Sequence, residues 1–523
     1  MTTKTIEEQS YDDVPYEGKS FSQTHIRHLY TVGKLFGLNP TDITNARVLE
    51  LGCAVGGNLF PQAQQYPNSD FLGIDISGTH ISAANNAQRI MGLKNISFQQ
   101  KDITKLTAEL GTYDYIITHG VLSWVPDNVR TRIFEIYRDH LSENGLGFIS
   151  YNTLPGWNMV RSIRDGMLYH ANRFDEPKKK ITQSKAFLKF LSSNLAEDDP
   201  YRNVIDQERL HLDEANDSYV FHEYLESENH QYYFHQFDEI ITEHNLRYVG
   251  DAEIPTMYVG NLPVRAANEL DALGNDIIHQ EQYMDFLTNR RFRNSIVTHK
   301  DLPIKRSINS GIDKGFKVTT AYEKDEDHSS SNRTVFKHKT DALNTFEIKD
   351  SLVTKILMTL PQAGQRPIEL EGHIKLICDN DKIAKDIYDL IQKSSMELVM
   401  KGFLLLHSDD GQFVDYVSDM PLASPWARFQ ASQPDCRMVT NTLGANIKPD
   451  EFSIAVLKNL NGLNDVNSIT AKITDMIESG KLIVKIDGIN HNNSISHQKL
   501  SVLLNQPIKN ALNQFAETAL LIG

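Results

Sequence analysis

The stretch from Arg47 to Pro61, RVLELGCAVGGNLFP, constrains this chain most. A short apolar run ends on the acid Glu50, breaks into closely spaced glycines, and reaches a proline tolerated only in the opening turn of a helix. A strand that feeds a helix through a glycine turn is the first unit of a parallel α/β sheet. The alternation continues: DFLGID at 70–75, ISFQQKD at 96–102, YDYIITHG at 113–120 and GLGFISYN at 145–152 have the length and apolar content of strands. Between them, SGTHISAANNAQRIMGL and PDNVRTRIFEIYRDHLSENG carry helical spacing, the latter at Val129, Ile133, Ile136 and Leu141. The expected class is α/β, a mainly parallel sheet covered by helices on both faces, with ligands beyond the carboxyl ends of its strands.

A dinucleotide fingerprint needs G-x-G-x-x-G, whereas here the series runs Gly52, Ala54, Gly57, without the middle glycine that lets backbone approach a pyrophosphate. The acid Glu50 beside the turn also disfavours phosphates. Asp75 ends the second strand, where a carboxylate accepts hydrogen bonds from ribose hydroxyls. Asp102, followed by Ile103, ends the third, where it could meet an adenine edge. Singly, each glycine reads as a tight turn and Asp75 as a helix N-cap. Together, Glu50, Gly52, Gly56, Asp75 and Asp102 occupy the ends of three successive strands. That pattern suits an adenosine with a short cationic tail, and S-adenosylmethionine is such a ligand.

At 523 residues the chain has room for about three domains of the usual ~150 residues. A formal net charge of −15 disfavours a nucleic-acid partner, which would need a basic face. Cys53, Cys378 and Cys436 are too scattered for a disulfide framework or a zinc site, so no metal is expected and a reducing cytoplasm fits. The first residues lack the basic start and apolar core of a signal peptide, and no run of about 18 apolar residues suggests membrane insertion. Residues 160–345 read as helical, with Lys178 to Lys180 on a solvated face. ESENHQYYFHQFDEIITEHN is rich in histidine and acid, but Tyr233, Phe234, Phe237, Ile240 and Ile241 form an apolar helical stripe that outweighs a metal reading. EKDEDHSSSNRT at 323–334 reads as a loop or linker, and the segments beyond it as compact helical units with short strands.

The run YDDVPY, FSQTHIRHL, LELGCAVGGNL, GIDIS, NISFQQKDI, YDYIITHGVLSWVP and SYNTLPGW resembles class I S-adenosylmethionine-dependent methyltransferases that carry a methyltransferase regulatory domain. FHEYLESENHQYYFHQF, QYMDFLTNRRFRNSIV and PLASPWARFQA extend that resemblance over most of the chain. It implies a Rossmann-like sheet at 1–170, a helical middle or regulatory domain at 171–335 and a C-terminal accessory α+β domain at 336–523. It also implies methylation of lysine ε-amino groups on a protein, as in relatives acting on a bacterial outer-membrane surface protein before export, with a homodimer as a candidate assembly.

Carried over by position, the resemblance places the methionine and ribose portions of the donor against Glu50, Gly52, Cys53, Ala54 and Gly56, with Asn58 nearby. Asp75 would hold the ribose, Ile76 would cover the adenine, and Asp102 with Ile103 would fix its edge. His119, Gly120 and Val121 would line the donor near the sulfonium. The N-P-P-Y tetrad of amide and nucleobase amine methyltransferases is missing, and HGVLSWVP stands in its place. A lysine acceptor must lose its proton, and an aromatic channel favours the neutral amine by desolvation. Trp124, Tyr151 and Trp157 are the expected channel residues, Tyr11, Tyr16 and Phe21 a lid, and His119 or His25 a base, although each aromatic also fits core packing. Two other readings remain at this stage: a small-molecule methyltransferase, and a non-catalytic S-adenosylmethionine-binding regulatory protein.

Overall fold

The computed structural model describes residues 18–272, 276–306, 312, 315–330, 333–339, 341–349, 351–378, 380–434, 436–483, 485–486, 489–490 and 496–523. Strand β1 (Arg47–Leu51) sits at the centre of a seven-stranded sheet, with Val48, Leu49 and Leu51 fully buried. Around it lie β2 (Asp70–Asp75), β3 (Ile96–Gln100), β4 (Tyr113–Thr118), β5 (Leu141–Asn152), β6 (Leu246–Asp251) and β7 (Phe292–His299), in the order β3-β2-β1-β4-β5-β7-β6. β1 to β5 are parallel, and β7 runs antiparallel to both neighbours. Leu51 pairs with Ile74 and Asp75 with Gln100, so the first three strands end level and their loops meet at one edge. This is the Rossmann-like α/β sheet that the sequence pattern predicts.

The first five strands fall where the pattern places them, β5 starting four residues early. β6 and β7 do not: they arise inside the stretch 160–345 expected to be helical, and beyond the boundary expected at residue 170. Their polar composition hides them. β7 carries Arg293, Asn294, Ser295 and Thr298, all buried. The Arg293 guanidinium lies 3.8 Å from the Phe234 ring centre and donates from Nη1 to Glu281 Oε2 at 2.8 Å and from Nε to Asp285 Oδ2 at 2.8 Å. Both carboxylates stand on the helix Ile277–Thr288, so this ion cluster clamps that helix to the last strand of the sheet.

Helices Trp157–Ala171, Pro177–Asn194, Pro200–Glu214 and Asp217–Tyr224 share a core built on Val160, Met167, Leu188, Ile205 and Val220. Lys178 and Lys179 are exposed, as a solvated face requires. Of the two readings of the 323–334 segment, loop or linker, the structure bears out the loop. It joins Tyr322–Lys324 to Thr334–His338 in a three-stranded antiparallel sheet, and Asp325 accepts there from the Asp327 N–H. Further along, residues beyond strand Leu404–His407 pack on the helices flanking the methyltransferase sheet: Trp426 stacks on Phe60 at 4.6 Å, and Asp409 binds the Arg27 guanidinium and the Tyr66 hydroxyl. A last core, on Ile469, Ile473, Leu500, Leu504 and Leu512, unites helices Glu451–Leu457, Val466–Glu478 and His497–Glu517. Among the described residues no helix is long and apolar enough to cross a membrane.

The clamp gives a stability prediction. Arg293→Ala leaves Glu281 and Asp285 buried without their cation, a loss of about 3–5 kcal/mol. Denaturant unfolding followed by circular dichroism should show a clearly lowered midpoint, and an unchanged midpoint would remove the clamp from the account of this sheet.

Candidate active site

The turn after β1 is shaped by positive φ values at Gly52 (+74°), Ala54 (+46°) and Gly56 (+79°). A Cβ at Gly52 would stand 2.4 Å from Val121, and one at Gly57 would stand 2.8 Å from the Gly18 backbone. The glycines therefore let the chain after β4 and the N-terminal segment close over the turn. Beneath it Glu50 is 3% exposed, and its Oε1 accepts from Asn58 Nδ2 at 2.7 Å. Asn58 Oδ1 accepts from the Phe21 N–H at 3.1 Å and from the Thr24 hydroxyl at 2.9 Å. Glu50 Oε2 has no partner among the described residues. Burial lifts this carboxyl to about 8, with the Asn58 bond opposing and Asp75 adding to the rise.

Asp75 ends β2 facing the same space. Its two oxygens accept from the N–H groups of Ala54 and Ser77, both at 2.9 Å. It does not cap the following helix, because Ser77 does, accepting from the His80 N–H at 3.2 Å. Asp102 caps the short turn Ile103–Lys105 through Oδ1, which accepts from the Thr104 N–H and hydroxyl. After β4, the Ser150 hydroxyl lies 2.9 Å from His119 Nδ1 while its oxygen accepts from the Gly120 N–H. Phe21 packs on the His119 ring at 3.9 Å, and burial lowers that imidazole to about 4.

These groups border one cavity of about 420 Å³, within the range of small-molecule sites. Glu50, Gly52, Cys53, Ala54 and Asn58 line it from β1, Asp75 and Ile76 from β2, Asp102 and Ile103 from β3. His119, Gly120, Val121 and Trp124 complete that side from the loop after β4, and Phe21 joins them. Gly56 does not border the cavity. A Cβ there would meet Phe98 at 2.5 Å, so Gly56 serves the packing of the turn on β3.

Tyr151 is a second correction. Strand alternation turns it to the opposite face of β5, where it stacks on Phe237 at 4.2 Å and meets the Ser295 hydroxyl at 3.2 Å. Its neighbour Asn152 lines the cavity instead. Trp157 lies behind the wall, edge-on to Trp124 at 6.1 Å, and donates to Asn229. His25 caps the helix Ile26–Leu35 and does not border the cavity. Tyr11 and Tyr16 lie outside the described residues. The sequence reading missed Asn152, Phe292, His222 and Glu223, which all line the cavity. The last two come from the helix Asp217–Tyr224, about a hundred residues beyond β4, and only its packing brings them here.

Comparison with known proteins matches this geometry. Residues 43–215 fit a family model for a methyltransferase domain, 216–299 one for a predicted methyltransferase regulatory domain, and 419–520 one for the PKMT C-terminal winged helix domain. The uncharacterized protein RP789 of Rickettsia prowazekii is 37% identical over 534 residues, spanning all of this chain and 95% of that one. RP028 of the same organism is 43% identical over 231 residues, covering 44% of this chain and 92% of its own. The solved structure of PKMT2 from Rickettsia typhi in complex with AdoHcy superimposes with a TM-score of 0.87 at 32% identity, covering 97% of this chain and all of that one. The chain belongs to the class I S-adenosylmethionine-dependent methyltransferases with a regulatory domain.

The residues of this methyltransferase fit its donor. The unpaired, buried Glu50 oxygen can take the amine of a methionine moiety, and Asp75 faces the cavity where a ribose diol would lie. Bound S-adenosylmethionine supplies a methyl group already activated by a positive sulfur, so the protein's share is positioning and desolvation. Glu50 must ionise to hold a cationic amine. Below about pH 8 donor binding therefore expels a proton from Glu50, and affinity should fall as pH drops from 8 to 6. Calorimetry in buffers of different ionisation enthalpy should show that proton release, and Glu50→Gln should abolish it. Asp75→Ala should weaken binding roughly ten- to a hundredfold, the cost of a lost charged hydrogen bond. A pH-independent affinity in the native protein would contradict the Glu50 assignment.

Proposed function

We propose that this methyltransferase transfers methyl groups to lysine ε-amino groups of a polypeptide, an outer-membrane surface protein methylated in the cytoplasm before export. The observation that carries the reading is the PKMT winged-helix match at 419–520, within a likeness that runs the length of a solved PKMT2. In the proposed assignment Glu50, Asp75, Asp102 and the residues after β4 hold the donor, while Trp124, Phe21 and Phe292 form the apolar wall that the acceptor passes. Such a wall disfavours the charged amine and so lowers a lysine's pKa from its solution value near 10.4. Nearly half of the chain follows the last strand of the sheet, and it packs on the helices flanking that sheet through Trp426 and Asp409. Surface of that extent suits an acceptor that is itself a chain, because remote contacts can present a side chain to the cavity.

The test is incubation with isotopically labelled S-adenosylmethionine and a bacterial protein extract. Label should appear in polypeptide of the outer-membrane fraction and should survive acid hydrolysis as methyllysine. Label confined to small molecules, or to residues other than lysine, would overturn the reading.

A further inference from the structure

The cavity has a carboxylate that the residues assigned to the donor leave unused. Glu223 lines it from the helix Asp217–Tyr224, next to His222 and together with Phe292 and Asn152. We infer that Glu223 is the catalytic base, receiving the acceptor's ammonium and taking its proton before methyl transfer. This rests on the lysine reading above.

The surroundings of Glu223 support the role. Burial lifts its carboxyl to about 7, with Arg164 on the helix Trp157–Ala171 opposing and Glu208 on the helix Pro200–Glu214 adding. Glu208 is itself engaged, accepting from Tyr224 and from Arg291. Arg164 donates to the Glu226 carbonyl, and His222 pairs with the Glu226 carboxylate at 2.8 Å. Glu208 and His222 thus have partners of their own, while Arg164, whose buried Nε is unpartnered among the described residues, acts on Glu223 through its charge. His119, which also borders the cavity, is lowered by burial to about 4 and is the weaker proton acceptor of the two. A carboxylate that ionises near neutrality is poised for this exchange.

The balance is complete without a further reagent. The ammonium gives one proton to the Glu223 carboxylate. The freed nitrogen lone pair forms the bond to the donated methyl carbon, and the carbon–sulfur electron pair stays on the donor's sulfur. Glu223 then returns its proton to water.

The test compares native protein with Glu223→Gln, in single-turnover labelling of a bacterial protein extract from pH 6 to 10. The native rate should rise to a plateau past pH 7. The Gln variant should bind S-adenosylmethionine within twofold of native, run roughly a hundredfold or more slower at pH 7.5, and keep climbing with pH, so that the gap narrows. Glu223→Asp should recover part of the rate together with the plateau. Independently of turnover, difference infrared spectra of native minus Gln protein should contain a protonated-carboxyl band that fades near pH 7. A native rate in the Gln variant, or a deficit constant with pH, overturns the Glu223 assignment alone. Absence of any lysine label with native protein overturns the lysine reading along with it.

Discussion

The hydrogen bond from Asn58 to Glu50 is the contact on which the rest of the site depends. A carboxyl that is 3% exposed beside a second acid is costly to ionise, and one strong donor keeps it oriented while the other oxygen stays free. Asn58 can make that bond only because the glycine turn brings it back over β1. The same carboxamide accepts from the Phe21 N–H and the Thr24 hydroxyl, so one side chain links the floor of the cavity to the segment that covers it. Phe21 in turn packs on His119. The donor-binding acid, the turn and the cover are thus one hydrogen-bonded unit.

The second constraint is long-range. A parallel five-stranded sheet would end at β5 with an exposed edge, which proteins normally cover. Here β7 pairs with β5, and the buried Arg293 on β7 fixes the helix Ile277–Thr288 by two carboxylates. The segment that closes the edge is the one matched as a regulatory domain, and it begins with the helix that carries His222 and Glu223. Sheet closure and the part of the cavity wall made by His222, Glu223 and Phe292 are therefore contributed by one stretch of chain. Change in its packing reaches the cavity without passing through the donor-binding loops.

This division explains what could be read from sequence. The first five strands were legible because each is an apolar run of parallel-sheet length, and the residues that border the cavity from β1, β2 and β3 because they stand at strand ends, a position set by chain order alone. β6 and β7 were not, since β6 buries Asp251 and β7 buries Arg293, Asn294, Ser295 and Thr298 in partnered positions that mimic a polar segment. Tyr151 failed by one residue: in a strand the neighbour faces the other way, and the register that decides between Tyr151 and Asn152 comes from pairing with β7. Glu223 had no local signal, because its role arises from packing across about a hundred residues.

The cavity also has an electrostatic logic. Glu50 and Glu223 both have carboxyls raised by burial, to about 8 and about 7, and both border the same space. In the free protein near neutral pH each is at least partly protonated, so neither adds a full negative charge to that of Asp102 on the same cavity. A cation approaching either group shifts it to the ionised form, and the attraction grows only where the ligand supplies the matching charge. On the assignments proposed, the amine of the donor would meet this condition at Glu50 and the ammonium of the acceptor at Glu223. On that assignment a cationic acceptor is favoured through the burial of an acid. Most of the chain's net charge of −15 lies away from this site.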